Sequence, residues 1–173
     1  MNILTLDVET TTFQKGSPFS KRNKLCYVGL KWLGQECTIS NHIHNQQQDV
    51  QSIQASIDLA NIVVGFNIKF DIHWLINIGV NFANVKQIWD CQLAEFLLES
   101  QQNPYNSLND ALEKYGLPQK LDVVKTEYWD KGVDTPEIPE QIVQDYLAYD
   151  LEGTENVFIK QAEQFGVKIW KCI

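Results

Sequence analysis

The order of its apolar patterns limits most strongly what this chain can fold into. Three runs typical of strands open the sequence, at residues 3–9, 25–33 and 36–43. The last two are separated by Gly34 and Gln35, a short connection that indicates an antiparallel turn. Two further strand candidates, at 61–67 and 85–90, alternate with stretches of helical spacing. A meander followed by strand–helix alternation predicts an α/β fold with a mixed sheet.

Helical spacing of apolar residues recurs in five stretches, at 48–60, 68–79, 91–100, 107–116 and 139–165. Ser107 is a typical N-cap for the fourth stretch, and Gly116 is a typical stop. The segment 103–140 holds all but one of the five prolines and predicts short helices and loops. Because repeats, low-complexity stretches and convincing linkers are lacking, we expect one domain over 1–173.

Composition agrees with one ordered domain, since 44% of the 173 residues are hydrophobic and 11% are aromatic. No stretch reaches the length of a membrane span, and the first residues lack the features of an export signal. We therefore expect a cytoplasmic protein, in a bacterium or a phage-infected cell. The four cysteines are scattered without metal-binding spacing, which predicts unpaired and largely buried thiols.

The net charge of −8, from 14 basic and 22 acidic residues, argues against a nucleic-acid binder. This argument fails if the acids are gathered in a metal site, because two divalent ions would bring −8 to −4. Four of the 14 basic residues fall within 15–24, including Arg22, the only arginine. That segment is either a solvated loop or a loop that contacts phosphate.

Two acids end the first predicted strand. Asp7 and Glu9 lie on one strand face because side chains at i and i+2 point the same way. Their mutual repulsion raises the cost of ionising each of them. A proton, a basic partner or a metal cation must offset that cost.

Two other stretches place acids where strands end or within an apolar helix. Asn67 and Asp71 have the i, i+4 spacing of one helix face, as do Tyr146 and Asp150. Taken singly, these have ordinary interpretations: Asp71 as a first-turn acid, and Tyr146 as a core residue beside a surface acid. In α/β sheets, however, functional sites gather at the ends of strands.

Together the motifs "LDVET", "GFNIKFDIHWL" and "YLAYDLEGT" resemble those of the DEDD exonucleases. The greatest similarity is to the proofreading domain of family A, DNA polymerase I-like polymerases, with RNase D and Werner-type exonucleases as relatives. One branch has histidine five residues before the last aspartate, where this chain has Asp145. The other branch has tyrosine four residues before it, as Tyr146 is here. The resemblance therefore implies the tyrosine (DEDDy) subtype and a ribonuclease H-like mixed sheet flanked by helices.

The resemblance also implies two divalent metal ions, Mg²⁺ or Mn²⁺. It assigns a bridging position to Asp7, the rest of one site to Glu9 and Asp150, and the other site to Asp71, mostly through water. Such ions stabilise the attacking and leaving oxygens at phosphorus. Tyr146 is expected to orient the attacking water through its hydroxyl.

Substrate contacts implied by the resemblance fall on Thr10, Phe13, Phe66 and Asn67. Phe13 is either a wedge between the last two bases or an ordinary core residue. Asn67 either contacts the terminal nucleotide or caps the helix that it precedes. Asp90 is expected to support the site without touching the metals, and His42, His44 and His73 are expected on the surface or in packing.

The resemblance implies a 3′–5′ exonuclease that releases nucleoside 5′-monophosphates from 3′ ends of single-stranded DNA, in proofreading or DNA degradation. Its expected partners are those 3′ ends and a DNA polymerase, in cis or in trans, and the enzyme itself is expected to be phage-like. An RNase D-like exoribonuclease is the first alternative, although no additional RNA-binding domain is evident. A non-catalytic nucleic-acid-binding or polymerase-binding module is the second, and the presence of all four acids argues against it.

Overall fold

A five-stranded mixed sheet forms the centre of the computed structural model, which describes residues 1–103, 106–119 and 122–168. The strands are β1 (Ile3–Thr10), β2 (Leu25–Trp32), β3 (Cys37–Asn41), β4 (Ile62–Gly65) and β5 (Gln87–Asp90). They lie in the order β3-β2-β1-β4-β5. The β1–β2 and β2–β3 pairs are antiparallel, whereas β4 is parallel to β1 and to β5. The predicted α/β fold with a mixed sheet is confirmed.

Helices cover both faces of this sheet. They are α1 (Val50–Leu59), α2 (Lys69–Asn77), α3 (Cys91–Leu98), α4 (Leu108–Lys114), α5 (Val123–Glu127) and α6 (Glu140–Gln164), with 3₁₀ turns at Phe13–Gly16, Trp129–Lys131 and Thr135–Glu137. All five predicted helical stretches contain a helix. Ser107 caps α4 in a capping box with Asp110, and Gly116 follows that helix with a φ of +63°, as expected for a helix stop.

Alternation along β1 separates the core from the acids. Leu4, Leu6 and Val8 point to one face of the sheet, where they pack with residues of α1 and α2. The other face, which carries Asp7 and Glu9, is covered mainly by α6. The period-two pattern of the sequence therefore places both acids under the longest helix.

Gly29 allows α6 to lie close to the sheet. It pairs with Asp7 across the β1–β2 ladder. A Cβ atom at this position would lie 2.7 Å from Leu151 Cδ1 and 3.0 Å from Leu147 Cγ. Both leucines flank Asp150 on α6, so the missing side chain lets this part of the helix approach the level of Asp7.

Cys26, Cys37 and Cys91 are free thiols, the first and last of them buried, whereas Cys172 lies outside the described residues. The predicted unpaired state is confirmed for the three described cysteines. No helix in the described ranges combines the length and the apolar character that crossing a membrane requires.

Candidate active site

Three carboxylates converge at the carboxyl end of β1. Asp7, Glu9 and Asp150 each place one oxygen so that the three atoms lie within 4.8 Å of one another. Asp7 and Glu9 come from the α6 side of the strand, and Asp150 comes from the middle of α6. Glu9 and Asp150 are each only 8% exposed. Two distant segments of the sequence thus form one acidic site.

Asp71 joins this site from α2. Its side chain is 2% exposed and accepts a hydrogen bond from the backbone N–H of Val8 at 3.0 Å. That N–H is available because the ladder between β1 and β4 ends at Thr5. Burial, and next the charge of the neighbouring Asp7, raise the pKa of Asp71 well above its ordinary value.

Tyr146 lies beside these acids, one helical turn before Asp150. Burial is the largest cause that raises its pKa, followed by the charges of Asp150 and Glu9. The phenol therefore keeps its proton and can donate a hydrogen bond. The ring also makes an edge contact with Trp129, with ring centroids 5.6 Å apart. This contact fixes the side chain near the acids.

The donor set fits a divalent metal ion. Mg²⁺ and Mn²⁺ prefer hard carboxylate oxygens, and ligands on a common ion must lie only a few ångströms apart. The spacing of Asp7, Glu9 and Asp150 meets this requirement. Asp71 borders Asp7, which extends the acidic site on the α2 side.

Thr10 and Phe13, two of the four residues predicted to contact substrate, lie where β1 leaves the sheet. Thr10 is buried, and its carbonyl accepts a hydrogen bond from Thr135 Oγ1 at 2.6 Å. Phe13 is partly buried, and one face of its ring is covered by the guanidinium of Arg22, whose Cζ lies 3.7 Å from the ring centroid. Thr10 directly follows Glu9 in the chain, and contact of either residue with substrate stays a prediction.

Asn67 does not lie where its i, i+4 spacing to Asp71 predicted. It precedes α2, which begins at Lys69, and its backbone is left-handed with a φ of +58°. Ile68 occupies the N-cap position without a side-chain cap, so the expected capping role of Asn67 is wrong. The helix-face argument is also wrong, since Asn67 and Asp71 do not share a continuous helix. Phe66, beside Asn67, packs partly buried against the core cluster under α6.

Asp90 has a larger supporting role than the sequence indicated. Its Oδ1 accepts from the backbone N–H groups of Gln92 and Leu93 at 3.0 and 3.4 Å, which caps α3. The same oxygen accepts from the N–H of Asn67 at 3.0 Å. Asp90 therefore ties the turn before α2 to the start of α3. The sequence signal for this cap was an aspartate directly before a stretch of helical spacing.

A contact that sequence reasoning missed holds the exit of β1. Asp134 Oδ1 accepts from the backbone N–H of Thr12 at 2.8 Å and from its hydroxyl at 3.0 Å. Together with the Thr135–Thr10 bond, it fastens the segment before α6 to the strand that carries two of the acids. No local pattern could reveal it, because the partners are more than a hundred residues apart.

An acidic site at the end of the central strand, on a sheet ordered β3-β2-β1-β4-β5, defines a ribonuclease H-like nuclease fold. The chain belongs to the 3′–5′ exonuclease family. The model of that family, of the DNA polymerase A type, matches residues 1–158. A comparison with curated proteins gives no match.

Solved structures with the same fold are distant in sequence. A nuclease in its apo form has a TM-score of 0.70 and 18% identity, over 95% of this chain and 75% of that one. The family B DNA polymerase of the archaeon Pyrobaculum calidifontis has a TM-score of 0.67 and 14% identity, over 96% of this chain and 25% of the polymerase. Brucella melitensis NrnC with bound Mg²⁺ has a TM-score of 0.63 and 16% identity, over 96% and 76%. NrnC bound to pGG has the same TM-score and 15% identity, over 95% and 75%.

Proposed function

We propose that this chain is a two-metal-dependent 3′–5′ exodeoxyribonuclease of the tyrosine subtype. Its substrate is the 3′ end of single-stranded DNA, and its product is a nucleoside 5′-monophosphate. The observation that carries this proposal is the meeting of Asp7, Glu9 and Asp150 within 4.8 Å, with Asp71 and Tyr146 beside them. Family membership supports the direction of cleavage.

The four acids are the residues that would hold two cations. Asp7, Glu9 and Asp150 would hold one ion, and Asp7 and Asp71 would hold the other. When bound, divalent ions stabilise charge on the phosphoryl oxygens and lower the pKa of water. The carboxylates supply the binding energy for the ions, because mutual repulsion is relieved when positive charge enters.

Tyr146 positions the attacking water. Its raised pKa keeps the phenol neutral, so the hydroxyl acts as a hydrogen-bond donor and not as a base. The water oxygen forms a bond to phosphorus while the bond to the O3′ of the preceding nucleotide breaks. That O3′ takes up, through solvent, the proton that the attacking water releases, and becomes the new 3′ end.

The DNA polymerase A type of the matching family model supports DNA as the proposed substrate. A polymerase partner, in cis or in trans, fits the same relationship and would raise the local concentration of 3′ ends. A second candidate is hydrolysis of short oligoribonucleotides, and the structure of NrnC bound to pGG favours it. Matched DNA and RNA oligonucleotides distinguish these candidates.

The test is a gel assay with 5′-labelled single-stranded DNA and Mg²⁺, beside an EDTA sample and a matched RNA. Asp150→Asn is the test variant. Asp145→Asn is its control, because Asp145 is an exposed acid on the same helix that accepts from Gln141. We expect shortening from the 3′ end, lost with EDTA and in Asp150→Asn and retained in Asp145→Asn. Intact DNA and RNA with the wild type would contradict the proposal.

A further inference from the structure

The loop between β1 and β2 concentrates positive charge on an acidic protein. Its basic residues are Lys15, Lys21, Arg22 and Lys24, all of them exposed. The backbone N–H of Thr11 donates to the carbonyl of Lys24 at 3.0 Å. The loop therefore leaves and rejoins the sheet at the end of β1, two residues beyond Glu9.

These basic side chains differ from five of the eight other lysines that the structure describes. Elsewhere, five lysines form ion pairs with acids: Lys31, Lys114, Lys125, Lys131 and Lys160. Within the described ranges, no acidic side chain pairs with the four basic residues of the loop. Acids outnumber bases 22 to 14, and yet none of the described acids pairs with this loop. The basic side chains of the loop are therefore available to bind an external anion.

Side-chain hydrogen bonds hold the loop in one conformation. Asn23 Nδ2 donates to the carbonyls of Phe13 and Ser17 at 2.7 and 3.0 Å. From α2, Trp74 Nε1 donates to the carbonyl of Gly16 at 3.0 Å, and Asn77 Nδ2 donates to that of Pro18 at 2.9 Å. Since α2 also carries Asp71, the loop and the acidic site are attached to one rigid helix.

The backbone of the loop is strained at its first turn. Gln14, Lys15 and Gly16 have consecutive φ angles of +49°, +57° and +70°. Left-handed conformations cost free energy at non-glycine residues and persist only where surrounding contacts enforce them. The hydrogen bonds from Asn23 to the Phe13 carbonyl and from Trp74 to the Gly16 carbonyl supply such contacts at this turn.

The position of Arg22 leaves its guanidinium able to make a bidentate contact with a phosphate. Its guanidinium lies over Phe13, with Cζ 3.7 Å from the ring centroid. Stacking occupies a face of the guanidinium and leaves its N–H edges for acceptors. In the part of the chain that the structure describes, no group accepts from those N–H edges. A phosphate with two adjacent oxygens is the ligand that matches such a fork.

We propose that Lys21, Arg22 and Lys24 bind the phosphates of single-stranded nucleic acid upstream of its 3′ end. This inference rests on the proposed function, because the acids receive the terminal phosphate and the loop receives earlier ones. Phe13 supports Arg22 in this arrangement, so a base can stack only on the other ring face. The loop gathers three positive charges within four residues, close in the chain to the end of β1.

The test compares two triple variants that lose the same charge. Lys21→Gln/Arg22→Gln/Lys24→Gln removes the three positive charges that the inference assigns to phosphate binding and leaves Lys15 in place. Lys86→Gln/Lys160→Gln/Lys168→Gln is the control, because these exposed or half-exposed lysines precede β5 or lie towards and beyond the end of α6.

The substrates are a dinucleotide, which has no upstream phosphates, and an oligonucleotide of about twelve nucleotides. The measured quantity is the kcat/KM for the oligonucleotide divided by that for the dinucleotide. We expect the loop variant to lower this ratio by about tenfold at low salt, and the control to keep it within about twofold. Loss of three phosphate contacts also makes the negative slope of log affinity against log salt shallower by about 2. An unchanged ratio and slope in the loop variant would overturn the inference.

Fluorescence anisotropy of the same oligonucleotide in EDTA makes the test independent of hydrolysis. If the wild type cleaves nothing, the proposed function fails, yet weaker and less salt-dependent binding by the loop variant still supports the phosphate surface. Equal binding by the wild type and both variants rejects the surface, even if cleavage occurs. Arg22→Lys keeps the charge but loses the planar fork, so we expect an intermediate affinity.

Discussion

Glu155 and Asp71 are both buried acids, with 4% and 2% exposure, but they have opposite electrostatic surroundings. Glu155 Oε1 lies 2.8 Å from Lys31 Nζ, and the carboxylate also accepts from the N–H of Gly34 at 3.3 Å. Asp71 accepts from the N–H of Val8 and faces Asp7, another acid.

The difference separates a structural acid from a functional one. Glu155 has its counter-ion, Lys31, within the same chain. Burial alone would lower the pKa of Lys31, but its interactions with Glu155 and Glu152 outweigh burial and raise that pKa. The site of Asp71 gathers like charges, which lowers the stability of the metal-free fold. Such a site recovers that free energy when a cation binds.

The largest effect expected is on hydrolysis by Asp71→Asn. Loss of one metal-holding carboxylate should reduce kcat by about 10³-fold, which corresponds to about 4 kcal/mol of transition-state stabilisation. Because asparagine imitates the neutral acid and can still accept from Val8, metal-free stability should rise. Steady-state kinetics and denaturant unfolding in EDTA measure the two changes. Lower stability together with full activity would show that Asp71, like Glu155, is a structural acid.

Glu155→Gln should show the reverse behaviour. It leaves Lys31 buried with only Glu152, which lies 3.2 Å away and is half exposed, and should cost about 3 kcal/mol in the free energy of unfolding. Activity per folded molecule should stay close to that of the wild type. Lys160→Gln, which removes an exposed pair with Glu163, is the control and should cost at most about 0.5 kcal/mol. A loss of metal dependence in Glu155→Gln would show that the two regions are coupled.

Tyr146→Phe tests the orienting hydroxyl. It removes the donor and keeps the ring contact with Trp129, so we expect kcat to fall by about 10- to 100-fold, about 1.4–2.8 kcal/mol, with little change in stability. Because the pKa of Tyr146 is raised, the wild-type rate should not decline from phenol ionisation as the pH rises to about 10. A decline that disappears in the phenylalanine variant would contradict the neutral-donor role.

The smallest effect comes from a buried base, His42. Burial lowers its pKa, so the folded state favours neutral imidazole, with Nε2 2.9 Å from Ser40 Oγ. The unfolded state therefore binds more protons below about pH 6.5, and stability should fall as the pH falls, by at most about 1.4 kcal/mol per unit. His42→Gln should flatten that slope in urea unfolding, and His44→Gln, at an exposed position, should leave it as it is. An unchanged slope in His42→Gln would assign the acid sensitivity to other groups.

The sequence was sufficient where one local period determined the structure. Alternation along β1 placed Asp7 and Glu9 on one face, and helical spacing placed Tyr146 one turn before Asp150. It was insufficient where the backbone departs from a regular element, as at Asn67 with its left-handed φ.

Contacts between distant residues were the other limit. The bond of Asp71 to the N–H of Val8 exists because β4 ends early, and Asp134 meets Thr12 only in the folded chain. Gly29 gave no local signal either, because its role depends on Leu147 and Leu151 from α6.

The most direct test of the carboxylate site as a cation site is calorimetric titration of the metal-free protein with Mn²⁺, with a nucleoside 5′-monophosphate present. The wild type and Asp145→Asn should bind Mn²⁺ with the same affinity, and Asp150→Asn should bind it at least about tenfold more weakly. No binding by the wild type, or equal binding by Asp150→Asn, would contradict the account.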